Sequence, residues 1–230
     1  MRCLVLCACD GSGSVGRRAG GLKPSEPGSW ERGGSDEVTN VSDDKPRCAW
    51  ATGTPAMLAY HDTEWGRPLH DDRALFELLT LEGAQAGLSW RTILDRRAAY
   101  RAAFHDFDIA RVARMRDAGL QKVLAESGVV RNRLKVFSVR DNARAALAAI
   151  EEFGSLDRFL WGFVDGKPIV NQWTRREQVP AVTEVSDRMS KVLQRRGFKF
   201  VGSTICYAYM QATGMVDDHL TTCWCHAARG

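Results

Sequence analysis

The sequence predicts an all-α fold, and two observations carry that expectation. Helix start and stop signals recur at short intervals from residue 54 onward, and strand-like alternation is confined to one short run, "KPIVNQW", residues 167–173. "TPAMLAYHDTEWG" offers Thr54 as N-cap, Pro55 as first helical residue and Gly66 as stop. In "DDRALFELLTLEG", Leu75, Leu78, Leu79 and Glu82 share one stripe at the i, i+3, i+4, i+7 spacing. "SWRTILDRR" begins at Ser89, and "DIARVARMRDAG" reads as one helix from Asp108 to Gly119, followed by "LQKVLAESG". A long helix runs through "RNRLKVFSVRDNARAALAAIEEFG" to Gly154. Further starts fall at Ser155, Ser186 and Ser203, and no internal repeat is visible.

Residues 1–46 are rich in Gly, Ser and charge, so they cannot bury enough apolar area to offset ordering entropy. Composition therefore sets 1–46 aside as a disordered extension and places the folded domain at 47–230. The chain is 44% apolar with a net charge of only +4, so no strongly basic body announces nucleic acid. Seven cysteines, an odd number without small-scaffold spacing, point to a reduced, cytoplasmic setting rather than a disulfide framework. No run approaches the roughly 18 apolar residues that a membrane span needs, and the short apolar start is too brief for a secretory signal.

Three constellations carry chemistry. Cys48 and His61 near the start of the domain, with His219 and Cys223 near its end, make a Cys₂His₂ set suited to a closed tetrahedral zinc site. The i, i+4 spacing of His219 and Cys223 puts both on one face if the stretch is helical. Cys225 is the alternative to Cys223, His226 a weaker addition, and the plain alternative is two buried thiols and two ordinary histidines.

The second is aromatic: Trp50, Tyr60, Trp65 and Trp90 lie within about forty residues of one another and of Glu82. An acid on the apolar stripe of a helix is costly to bury unpaired. Either an arginine pairs with Glu82, or Glu82 forms the floor of a pocket for something cationic, walled by rings that attract cations or stack on extruded bases. Core packing is the plain alternative for any one ring. The third is "AESGVVRNRLK", residues 125–135, where a turn at Gly128 leads into a helix bearing Arg131, Arg133 and Lys135. That arrangement suits a phosphate group.

"RCAW", "AYHDTEWG", "LFELLTLEGAQAGLSW", "YRAAFHDFD", "RGFKFVGSTICYAYMQATGMVDDH" and "CWC" occur in an order that resembles the 3-methyladenine DNA glycosylase I family, over about residues 47–225. The resemblance implies a helix-hairpin-helix DNA glycosylase architecture and a structural zinc snap at Cys48, His61, His219 and Cys223. It also implies a base pocket at Glu82, Tyr60, Trp50 and Trp90, with the hairpin near Gly128 on the DNA backbone. The expected activity is hydrolytic excision of flipped-out 3-methyladenine from alkylated double-stranded DNA, without lyase chemistry, by a monomer. The hairpin departs from the superfamily's Gly-x-Gly turn, since "SGVVRN" has one glycine, which shifts weight to Arg131 and Arg133. The rival readings are a zinc-stabilised DNA-binding module without activity, and a thiol hydrolase built on Cys206 or Cys223 with His219.

Overall fold

The computed structural model describes residues 44–227. A 3₁₀ turn, Ala49–Gly53, leads into α1 (Pro55–Thr63). The Thr54 hydroxyl accepts from Met57 N at 3.2 Å, and Pro55 occupies the first position, where a missing N–H costs nothing. α2 (Asp72–Gln85) is capped by Asp71 and is the central helix, with every residue from Leu75 to Ala84 buried. α3 (Trp90–Leu94) starts at its Ser89 cap and is followed by α4 (Arg97–Ala103).

The stretch expected as one helix from Asp108 to Gly119 is two: α5 (Ile109–Ala113), capped by Asp108, and α6 (Asp117–Glu126), which absorbs "LQKVLAESG". Ile109, Ala113 and Leu120 are buried. An unbroken helix through them would also turn Arg116, at the i+7 position from Ile109, toward the core. Arg116 is extended instead and remains exposed. α7 (Arg133–Phe153) runs from its Asn132 cap to Gly154, whose φ of 89° ends it in the left-handed region. α8 (Leu156–Trp161) begins at its Ser155 cap. Asp72 of α2 reaches across to accept from the Leu156 and Asp157 amides at 3.1 and 2.8 Å, so one carboxylate joins two helix starts.

α9 (Glu184–Arg195) starts before the expected Ser186, because Thr183 is the cap. Ser186 instead completes a reciprocal pair with it: its hydroxyl accepts from Thr183 N at 2.9 Å, and Thr183 Oγ1 accepts from Ser186 N at 3.2 Å. α10 (Ser203–Ala212) starts where expected. The strand-like run supplies β1 (Ile169–Val170), which pairs in parallel with β2 (Val216–Asp217). α2 packs on α7, α8 and α10, while α5 and α6 cover α7 and α9 covers α10. Leu75, Phe76, Leu79 and Leu81 of α2 are essentially inaccessible. Each such side chain stabilises the fold by about 1.5–3 kcal/mol. Among the described residues no helix is long and apolar enough to cross a membrane.

Candidate active site and metal centre

Two acids of α2 are buried and are treated differently. Glu77 accepts from Arg97 Nε at 2.7 Å and from Arg101 Nε and Nη2 at 2.8 and 3.0 Å, which offsets the cost of burying its charge. Glu82 is 3% exposed, its Oε2 has no hydrogen-bond partner, and no arginine pairs with it among the described residues. Burial alone pushes its pKa up to about 8. In neutral solution the carboxyl is therefore mostly protonated.

Glu82 opens onto a cleft of about 860 Å³. Tyr60 of α1, Trp50 of the first 3₁₀ turn, Trp65 and Trp90 at the start of α3 line it. Ring centroids lie 6.4 Å apart for Trp50 and Tyr60, 5.1 Å for Tyr60 and Trp90, and 5.0 Å for Trp50 and Trp65. The Tyr60 hydroxyl and Trp90 Nε1 are buried and, like Glu82 Oε2, have no partner among the described residues. Burial, and next the Glu82 charge, raise the Tyr60 pKa, so its hydroxyl stays protonated. An aromatic chamber thus holds three polar groups whose hydrogen bonds are not used by the protein. Buried groups of this kind ordinarily find partners.

Behind the Trp50 ring, Cys48, His61, His219 and Cys223 are all buried, with their ligand atoms within 4.8 Å of one another. Cys48 Sγ lies 3.8 Å from His219 Nδ1, and Cys223 Sγ lies 3.5 Å from both His61 Nε2 and His219 Nδ1. A tetrahedron with metal–ligand bonds of about 2.0–2.3 Å has edges of ~3.3–3.8 Å, so the donor set fits zinc. The imidazoles are already in the right form. His61 Nδ1 donates to Asp62 Oδ1 at 2.7 Å, and His219 Nε2 donates to the Trp65 carbonyl at 3.0 Å. The opposite ring nitrogens are thereby left bare toward the sulfurs. Arg47 clamps Asp62 from behind, its Nε at 3.0 and 2.9 Å from the two oxygens and its Nη2 at 2.8 Å from Oδ2. A hydrogen bond from Cys48 holds the Cys223 thiol far below its ordinary pKa while that pairing and burial raise the Cys48 thiol, so one of the two sulfurs is set up as the thiolate that binds metal. The stretch holding His219 and Cys223 is not helical, so the i, i+4 spacing does not place them; loop and turn bring the pair together.

At the hairpin, residues 127–132 join α6 to α7, and Val130 N donates to the Tyr100 hydroxyl at 3.4 Å. Gly128 sits against α4, where a Cβ would come 3.1 Å from that of Ala99. Arg131 and Arg133 are exposed, the latter with its guanidinium 4.1 Å from the centre of the Phe137 ring. Lys135, expected among the phosphate-facing residues, is buried on the inner face of α7. Its ammonium donates to the Ala84 and Ala86 carbonyls at 2.8 and 2.6 Å and braces the end of α2. Those bonds hold it away from a phosphate.

A family profile described as methyladenine glycosylase matches residues 50–226. The chain belongs to the methyladenine glycosylase family. It is 46% identical over 180 residues to DNA-3-methyladenine glycosylase 1 of Escherichia coli (strain K12), covering 78% of this chain and 96% of that relative. A crystal structure of 3-methyladenine DNA glycosylase I is 48% identical and superposes with a TM-score of 0.76, covering 79% of this chain and all of the other. A structure reported as the basis of 3-methyladenine recognition by the Staphylococcus aureus enzyme is 38% identical, with a TM-score of 0.75 over 77% of this chain and 94% of the other.

The span matched to the methyladenine glycosylase family contains Trp50, Tyr60, Glu82 and Trp90, and three of the four clustered donors; Cys48 lies just before it. The structure brings these two groups of residues together as neighbouring sites. Three residues that matter to them escaped the sequence reading. Asp62 and Arg47 orient His61, and the adjacency of Asp62 to a candidate ligand was the available signal. Asp218 lies on the cleft wall beside His219, hidden in a motif read for its histidine. The thiol-hydrolase reading loses one of its two nucleophiles: Cys206 is buried, donates to the Val201 carbonyl at 3.3 Å, and burial raises its pKa to about 12, while Cys223 stands in the four-donor cluster.

Proposed function

We propose that this chain is a monofunctional DNA glycosylase that takes 3-methyladenine out of alkylated double-stranded DNA into the aromatic cleft and hydrolyses its bond to the sugar. One observation carries the reading: Glu82 Oε2, the Tyr60 hydroxyl and Trp90 Nε1 lack partners inside a chamber walled by rings. An extruded base supplies both the stacking faces and the hydrogen-bonding edge that such a chamber wants. Family membership, and relatives named for 3-methyladenine, support the choice of base.

Methylation at N3 gives adenine a positive charge and weakens its glycosidic bond. When that bond breaks, its electron pair neutralises the base, so no strong general acid is needed. Water adds to the oxocarbenium-like sugar carbon and loses a proton, which leaves an abasic site. The task of this chain is to select and hold the lesion. Glu82 releases its proton to solvent as the base enters and becomes the counter-charge of the cation, Tyr60 and Trp90 offer donors, and Trp50 contributes an electron-rich face. Among the described residues the cleft lining contains no lysine for Schiff-base chemistry, which supports simple hydrolysis. A zinc ion held by Cys48, His61, His219 and Cys223 would be structural, since four protein donors leave no position for a reacting water. Gly128, Arg131 and Arg133 form the proposed backbone contact.

Base release from methylated duplex DNA tests the proposal. Glu82→Gln is expected to lose about tenfold to a thousandfold in the rate of 3-methyladenine release. Its binding to abasic duplex should be unchanged. Equal release by both proteins would remove Glu82 from recognition.

A further inference from the structure

Asp218 is 3% exposed, lies on the wall of the cleft, and its carboxylate takes four hydrogen bonds. Oδ1 accepts from Asn171 Nδ2 and Trp173 Nε1, each at 2.7 Å. Oδ2 accepts from the Tyr207 hydroxyl at 2.6 Å and from Gln211 Nε2 at 2.7 Å. An indole N–H can only donate, and a carboxylate ringed by four such groups accepts at both oxygens. The direction of every bond in the network follows, including the orientation of the two amides.

Tyr207 and Gln211 line the same cleft. A tyrosine hydroxyl has one proton, and here it points at Asp218, so a ligand meets the lone pairs of that oxygen. The Gln211 nitrogen is likewise turned to Asp218, which leaves the carbonyl as the end of the amide facing away. We infer that Asp218 is a positioning residue for substrate choice: it draws the donors of Tyr207 and Gln211 to itself and makes this part of the cleft an acceptor surface, matched to amino-bearing purines and mismatched to oxo-purines. The inference rests on the base-excision reading above. The 6-amino group of an N3-methylated adenine offers N–H donors sharpened by the ring's positive charge. The 6-oxo group of N3-methylated guanine offers lone pairs, which would face lone pairs. A polar group left unpaired in a dry site is worth about tenfold to a hundredfold in discrimination.

Asp218→Asn keeps the side-chain shape but introduces an N–H donor, so Tyr207 or Gln211 must reverse. Single-turnover release of 3-methyladenine and 3-methylguanine from methylated duplex, at saturating enzyme, gives the ratio of the two rates. Metal content and melting temperature are measured on the same samples. The ratio is expected to fall about tenfold in Asp218→Asn. Tyr207→Phe removes the lone pairs and leaves the carboxylate in place with three of its four donors, and should shift the ratio in the same direction. It decides the matter alone if Asp218→Asn does not fold. A purely structural tie between the 171–173 segment and α10 would slow both releases equally, and an unchanged ratio in both variants overturns the inference. Wild-type release of 3-methyladenine reports separately on the base-excision reading, so the two failures are told apart in one experiment.

Discussion

Gly66 lies flat against the His219 imidazole: a Cβ built on Gly66 would stand 2.8 Å from Nε2 and 2.9 Å from Cδ2. Its φ of 76° is also one that L side chains rarely adopt. Gly66→Ala should therefore push the ring off its hydrogen bond to the Trp65 carbonyl and misdirect Nδ1. We expect a loss of about tenfold to a hundredfold in metal affinity. Backbone strain adds a cost of about 1–3 kcal/mol. Competition against a graded chelator, with melting curves in parallel, checks this. Wild-type metal retention in the variant would refute the role given to the contact.

The Glu82 carboxyl makes stability depend on pH in a direction unusual for an acid. Its pKa is about 8 in the folded chain against an ordinary 4.5, so the unfolded chain releases the proton first as pH rises. Below about 4.5 both states hold the proton and no penalty exists; between 4.5 and 8 the penalty grows, and above 8 it is fully present. Its ceiling is on the order of 4–5 kcal/mol at 1.36 kcal/mol per pKa unit. Glu82→Gln cannot ionise, so its melting temperature should gain on the wild type steadily from pH 5 to pH 8 and level off above that. Parallel melting curves for the two proteins across that range would contradict the assignment.

The hairpin cations should separate by their salt dependence. Arg131→Ala and Arg133→Ala are each expected to lower the slope of log affinity for duplex DNA against log salt by about 0.9. Lys135→Met should leave that slope alone, because its ammonium is spent on the Ala84 and Ala86 carbonyls. It should instead lower stability by about 1–3 kcal/mol through those unpaired acceptors. A Lys135→Met slope that falls as far as the arginine variants do would restore Lys135 to the interface.

The contrast between Glu82 and Lys135 shows what could be read in the chain beforehand. Glu82 was legible because it continues the apolar spacing of Leu75, Leu78 and Leu79, and all four are buried, on a helix that is buried all round from Leu75 to Ala84. Lys135 stands on the inner face of α7 with Val139, Asn142 and Ala146. The same periodicity would have found it, but its proximity to two exposed arginines in sequence outweighed the pattern. Helix starts at Thr54, Ser89 and Ser155 were legible because a cap is a local signal. The break between α5 and α6 was not, since it answers to α7, which both must pack against. His219 and Cys223 were legible as donor types but not as neighbours. Their spacing would put them on one face only of a helix, whereas contacts with residues more than 150 positions away hold them together. The Asp218 network was invisible for the same reason: its donors come from two separate stretches of chain.

The four clustered donors come in an early pair and a late one: Cys48 and His219 are 171 positions apart, Cys223 and His61 162. On a ribosome adding about 5–20 residues per second, roughly 8–30 s separate the emergence of the two pairs. During that interval a nascent chain owns two of the four donors, and two donors grip an ion far more weakly than four. Capture of an ion by the whole set would report that the later pair has been made and has returned to the earlier one.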